Sequence, residues 1–207
     1  MKFLDFLKFD KTDKILAGLL DKNNEEVVKR MTVLHNEVSV SFETKIIAIT
    51  STNDDKLASA FALSFANAYS KNGNKCLVVD ANLYNPVLKD QVGVDIEVSG
   101  AEDDYQLTKV DDNVDAVCLN KETYPSDVFK NGKIHRIINE NKDNYDHIIV
   151  LVPSIKEHKE VSLLKDLINA ILLVTQKNST RKADIYNAAI YFSEEKLPLA
   201  KTIVLGQ

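Results

Sequence analysis

Apolar residues in this chain come in short β-branched runs separated by longer stretches at helical spacing. Residues 45–50, 75–80, 114–119, 147–152, 170–175 and 202–205 read as strands, and residues 57–70, 127–140, 157–167 and 180–192 as helices. That alternation predicts an α/β fold, a doubly wound and mostly parallel sheet with helices on both faces. The runs Ile46-Ile47-Ala48-Ile49, Leu77-Val78-Val79 and Ile148-Ile149-Val150-Leu151-Val152 carry no alternating polar residues, so both faces of those strands should be covered. Residues 100–104 read as a polar surface loop, and no internal repeat is evident.

Before the first strand, residues 1–9 interleave Phe3, Leu4, Phe6, Leu7 and Phe9 with Lys2, Asp5 and Lys8. They suggest a helix docked on a membrane interface or a partner, or one packed on its own domain or a second subunit. The mixed charge lacks the Lys/Arg-rich face of a strong membrane binder and favours packing. The organisation expected is a helical lead over residues 1–24 and one domain over residues 25–207.

Charge and composition narrow the function. With 26 Lys and Arg against 31 Asp and Glu, the net charge of −5 has the wrong sign for neutralising nucleic-acid phosphates, so no nucleic-acid partner is expected. Cys76 and Cys118 each lie in an apolar run and read as small core residues of a protein in a reducing cytosol. No run approaches the ~18 apolar residues of a spanning helix, and the first residues lack the h-region and cleavage site of a signal peptide. His35, His135, His147 and His158 show no metal-ligand spacing and read as surface or satisfied structural histidines, with no metal expected. No G-x-S-x-G elbow or suggestive Cys/His pair offers a nucleophile.

In an open parallel sheet, ligands bind beyond the carboxyl ends of the strands. The loop after the first strand reads Thr50-Ser51-Thr52-Asn53-Asp54-Asp55-Lys56-Leu57-Ala58-Ser59-Ala60 and runs straight into a helix. A phosphate-binding loop here needs glycines, so that backbone N–H groups can curl around the anion, and a lysine for its charge. The glycines are missing. Asp54 and Asp55 instead bring two carboxylates to a helix N-terminus, where the dipole favours them and where a phosphate would otherwise sit.

This loop resembles, without a gap, the T-S-x-x-P-G-E-G-K-S-T pattern of the bacterial tyrosine kinases of capsule and exopolysaccharide synthesis, within the MinD/ParA-like P-loop ATPases. Asp54 stands for the proline, Asp55 and Leu57 for the two glycines and Ala58 for the phosphate-binding lysine; Ser59 alone matches the magnesium-binding hydroxyl. The stretch from Leu77 through Asp80-Ala81-Asn82-Leu83-Tyr84 to Leu88 is similar to L-L-I-D-A-D-L-R-x-P-x-L, with Asp80 kept and Asn82 and Tyr84 in place of aspartate and arginine. Tyr145-Asp146-His147-Ile148-Ile149-Val150-Leu151 looks like Y-D-x-I-I-I-D, with Leu151 where the family places its aspartate near magnesium.

Ala170-Ile171-Leu172-Leu173-Val174-Thr175 with Thr180-Arg181-Lys182 is similar to the family's A-V-L-L-V-V strand and R-x-x-x-T-R/K continuation. Gly206 stands for the base-contacting asparagine of the last strand, and the sequence ends at Gln207 before any tyrosine cluster of the kind these kinases phosphorylate. Glu26, Lys29 and Thr32 fall on the E-x-x-R-x-x-R helix of ring assembly, with only the glutamate kept.

The resemblance therefore implies a catalytically inactive relative, without cofactor or metal, that acts as a scaffold or regulator in capsular or exopolysaccharide biosynthesis. Its expected partner is a membrane polysaccharide co-polymerase or an active kinase paralogue, with homo-oligomers as a further option. The expected location is the cytoplasm, at the inner face of the membrane through that partner. The vestigial site comprises Asp54, Asp55, Lys56, Leu57, Ala58, Ser59, Asp80, Asn82 and Leu151. In that site Lys56 reads as a solvated surface lysine, and Asp80 as a leftover base or as a strand-end residue capping the next helix. Two rivals remain: an active ATPase or tyrosine autokinase using Lys56, Ser59 and Asp80, and a degenerate MinD/ParA-like positioning or pilus-assembly protein.

Overall fold

The computed structural model describes residues 6–7, 12–42, 45–99 and 104–206. The central strands are β2 (Ile46–Ser51), β3 (Cys76–Asp80), β7 (His147–Leu151) and β8 (Ala170–Gln176). Around them stand β6 (Val114–Leu119) and β9 (Leu199–Leu205), with the short strands β1 (Phe6–Leu7), β4 (Val98–Ser99) and β5 (Thr108–Asp111) at the margins. The order is β1-β9-β8-β2-β7-β3-β6-β4, with β5 also on β6. Every pairing is parallel except that of β5 with β6.

Strand β2 lies between β7 and β8, and all six of its residues are buried. Its side chains alternate between two cores, as a pleated strand requires. Ile47 and Ile49 join Val78, Ile149, Leu151, Leu172 and Val174 on one face. Ala48 joins Leu77, Val79, Ile148, Val150, Ile171 and Leu173 on the other. On the first face lies α3 (Asp55–Ser70), whose residues from Leu57 to Tyr69 are all buried. A helix apolar all round needs cover on its outer side as well. The cover is α1 (Thr12–Leu20) and α2 (Glu25–Phe42), which set Ile15, Leu19, Val27, Met31, Leu34 and Val38 into the same core. The second face is closed by α4 (Pro125–Lys130), α5 (Lys133–Asn141), a 3₁₀ turn over Glu160–Leu164 and α6 (Lys182–Glu194), which supply Phe129, Ile134, Ile137, Ile138, Leu164 and Phe192.

Three local expectations change. Phe6 and Leu7 pair in parallel with Val204 and Leu205 as an edge strand, not as part of a helix; the rest of residues 1–9 lies outside the described residues. The single helix expected over 127–140 is two helices, broken where Gly132 takes φ +79° at the start of α5. Glycine enters that left-handed conformation without steric cost. The helix expected over 157–167 is only the 3₁₀ turn. β5 escaped notice because only one of its four residues, Val110, is buried, which leaves no periodic signal. Of the expected loop over 100–104, residues 100–103 lie outside the described ones.

Phe65 sits at the centre of the first core, fully buried and edge-on to Tyr69 with ring centroids 5.2 Å apart. Phe65→Ala is expected to lower the unfolding free energy by ~3–5 kcal/mol in urea titration. A loss below ~1 kcal/mol would show that α3 is not the wedge between sheet and outer helices.

Candidate functional site

The connection from β2 to α3 is three residues long, and side chains rather than glycines close it. Ser51 Oγ accepts the Asp54 N–H at 3.2 Å, and the Asp54 carboxylate accepts the Leu57 N–H at 3.0 Å. Asp54 is thus the N-cap of α3, in extended conformation at φ −141° and ψ 94°. Thr52 continues the sheet by donating its N–H to the Val174 carbonyl at 3.3 Å. Asn53 Oδ1 accepts from the hydroxyls of Thr52 at 2.9 Å and Thr180 at 3.1 Å, which ties the loop to the segment after β8. Two of the N–H groups that would face an anion at this helix N-terminus, those of Asp54 and Leu57, are therefore taken by the chain's own side chains.

Asp55, Ala58, Ser59, Asp80, Asn82 and Leu151 come together with Val87 and Val152 around a cavity of only about 10 Å³. One water needs at least about 10–15 Å³. Asp54, Lys56 and Leu57 do not line it. Lys56 is exposed, its carbonyl accepting from Gln91 Nε2 at 3.0 Å, and Leu57 belongs to the first core. Leu151, 4% exposed where the family places an aspartate, packs into the same core. Among the described residues, the Ser59 hydroxyl is buried without a hydrogen-bond partner.

Asp80 is 1% exposed, and its two oxygens accept three backbone N–H groups: Asn82 at 3.1 Å, Val87 at 3.1 Å and Leu88 at 3.0 Å. Burial drives its pKa up to about 6, the three N–H donors restrain the rise and the nearby Asp55 carboxylate adds to it. No helix follows β3, so Asp80 caps none; it pins the loop over residues 81–88. Within that loop Asn82 Oδ1 accepts the Asn85 N–H at 3.2 Å, and Asn85 Nδ2 lies 3.5 Å from Asp55 Oδ2.

Next to this loop is a cluster that sequence reasoning missed. The Tyr84 hydroxyl donates to Glu160 Oε1 at 2.6 Å, the Ser126 hydroxyl donates to the same oxygen at 2.7 Å, and the His158 ring stacks on Tyr84 at 3.5 Å. Burial pushes the Glu160 carboxyl up most strongly, but the Tyr84 and Ser126 hydroxyls, a backbone N–H and the nearby His158 together hold its pKa below the ordinary value. Its members come from three distant segments, so no spacing announces it.

Elsewhere, Glu26 pairs with Arg30 one turn along α2 at 2.8 Å, and Thr32 donates its hydroxyl to the Val28 carbonyl at 2.9 Å. Both cysteines are free and buried, and burial pushes the Cys118 thiol up to about 12. Among the described residues, no group of three or more His, Cys, Asp or Glu could hold a metal ion, and no helix is long and apolar enough to cross a membrane.

No family model matches this chain, and no curated protein matches it in sequence. Solved structures share its fold. The chimerical protein CapA2B2 superimposes with a TM-score of 0.84 at 14% identity, over 100% of this chain and 95% of that one. The kinase domain of the Escherichia coli tyrosine kinase ETK gives 0.83 at 14% identity, over 100% and 90%. A ParA family ATPase from Chlorobium tepidum TLS gives 0.60 at 14% identity, over 78% and 73%. The chain has the fold of CapA2B2 and of the ETK kinase domain and, more distantly, that of the ParA family ATPase.

The raised pKa of Asp80 sets a pH dependence. Its proton is held more tightly in the folded chain than in the unfolded one, so its stabilising effect is complete below the ordinary 3.8 and is lost as pH rises through about 6. In urea titrations the wild type should lose stability relative to Asp80→Asn by up to ~1.4 kcal/mol per pH unit between those values. Parallel curves for the two proteins would exclude a buried, titrating Asp80.

Proposed function

We propose that this protein is a pseudoenzyme of the tyrosine-kinase fold, binding neither ATP nor magnesium and acting through protein contacts as a scaffold or regulator. The observation that carries the proposal is the Asp54 carboxylate on the Leu57 N–H, in a loop with Ala58 in the lysine position. A phosphate would have to displace that carboxylate and then approach Asp55 and Asp80, neither of which pairs with a Lys or Arg among the described residues. Ligand pockets usually offer ~300–1,000 Å³, against about 10 Å³ here. The Glu26–Arg30 pair adds support, because it engages within one helix the only carboxylate that matches the ring-assembly motif. The proposed setting is capsular or exopolysaccharide biosynthesis. The proposed partner is a membrane polysaccharide co-polymerase or an active kinase paralogue that brings the chain to the inner membrane face.

Thermal unfolding with millimolar Mg-ATP tests the inactive site. A ligand at ~100 times its dissociation constant stabilises by ~2.7 kcal/mol, and a domain of this size gains roughly 2–4 °C per kcal/mol, so a competent site would shift the midpoint by about 5 °C or more. No shift is expected, nor one in Ala58→Lys, because Asp54, Asp55 and Leu57 still close the loop. A saturable, magnesium-dependent shift that Ser59→Ala abolishes would overturn the proposal in favour of an atypical ATPase.

A further inference from the structure

Beyond the degenerate loop, one half-buried histidine has no role in the site. His35, on α2, lies at the junction with α3 and β7. Its ring sits 3.6 Å from the Tyr69 ring and 5.4 Å from the His147 ring, and Tyr69 and His147 are themselves 4.0 Å apart. Both ring nitrogens of His35 are buried without a well-formed hydrogen bond among the described residues, and burial outweighs the hydrogen bond that the adjacent Asn36 side chain offers the charged ring. A neutral imidazole tolerates such a place; an imidazolium would leave a charge and two N–H donors unsolvated.

The groups around it offer little relief. From α3 comes Tyr69, and from β7 come His147 and, just before it, Asp146, whose carboxylate already accepts the Lys75 N–H at 2.8 Å. From β3 comes Cys76, the register partner of His147, a buried thiol whose pKa burial raises. On α2 itself Asn36 is neutral and Glu37 pairs with Lys201. A second imidazole, that of His147, lies 5.4 Å away and offers no compensating negative charge.

We propose that His35 is a proton-operated latch: neutral, it docks α2 on α3 and β7, and on protonation it releases α2. Release would uncover the apolar side of α3 that Val27, Met31, Leu34 and Val38 cover. The sign follows from burial, which lowers the His35 pKa from its ordinary 6.5. The unfolded or undocked state then binds the proton more readily, so docking is complete above 6.5 and is lost as pH falls below it.

Amide hydrogen exchange on the full chain, corrected for the intrinsic pH dependence of exchange, reads α2 separately from the sheet. The opening equilibrium of peptides from residues 25–42 should rise up to tenfold per pH unit below 6.5, while β2 and β7 peptides stay protected. His35→Phe, which keeps a ring but cannot take a proton, should hold α2 protected at pH 5.5 as at 7.5. Histidine ring NMR on the unmodified protein supplies a measurement independent of any variant: the His35 ring should titrate below 6.5. Flat α2 protection down to pH 5, an unchanged pH response in His35→Phe, or a His35 ring titrating at or above 6.5 would each overturn the latch.

Discussion

Strand β2 has side chains on both of its faces buried, and that burial constrains everything else. A strand with apolar residues pointing both ways exposes backbone and side chains to water unless a helix lies on each side. On one side this requires α3, joined to β2 by a three-residue turn. Because α3 is itself apolar all round, a third layer must follow, and α1 and α2 provide it. The N-terminal helices are thus a consequence of the composition of α3.

The same turn decides the chemistry. A short crossover from a central strand into a helix leaves the first N–H groups of that helix without partners. An external anion can satisfy them, or a side chain of the chain itself can. Here Asp54 does so, Ser51 satisfies the N–H of Asp54, and the remaining space is too small for a phosphate. The N-terminus of α3 is thus capped by the chain's own carboxylate. Asp80 is likewise engaged by the chain itself, its oxygens holding three N–H groups of the loop over residues 81–88.

Two ionisable groups whose charged forms burial disfavours oppose each other. Asp80 is easier to protonate in the folded chain than in water, His35 harder. Both effects come from the low polarisability of the interior, which disfavours whichever form is charged. They act at different ends of the strands, Asp80 where β3 ends and His35 beside the start of β7, so acid tightens one end of the molecule as it loosens the other.

The sequence alone determined the α/β class, the six principal strands and the absence of glycines from the loop after β2, because these lie in contiguous segments: apolar runs without alternation, and a loop read directly residue by residue. It could not reveal that Phe6 and Leu7 form a strand, because two residues carry no periodicity and the pairing partner, Val204 and Leu205, lies at the other end of the chain. Nor could it show that Asp54 rather than Lys56 takes over the loop, that Tyr84, Ser126 and Glu160 converge, or that His35 lies against Tyr69 and His147 with its ring nitrogens buried. Local composition sets which segments become strands and helices. Which distant side chains meet, and which polar atoms are left without water, is decided only when the layers close on one another.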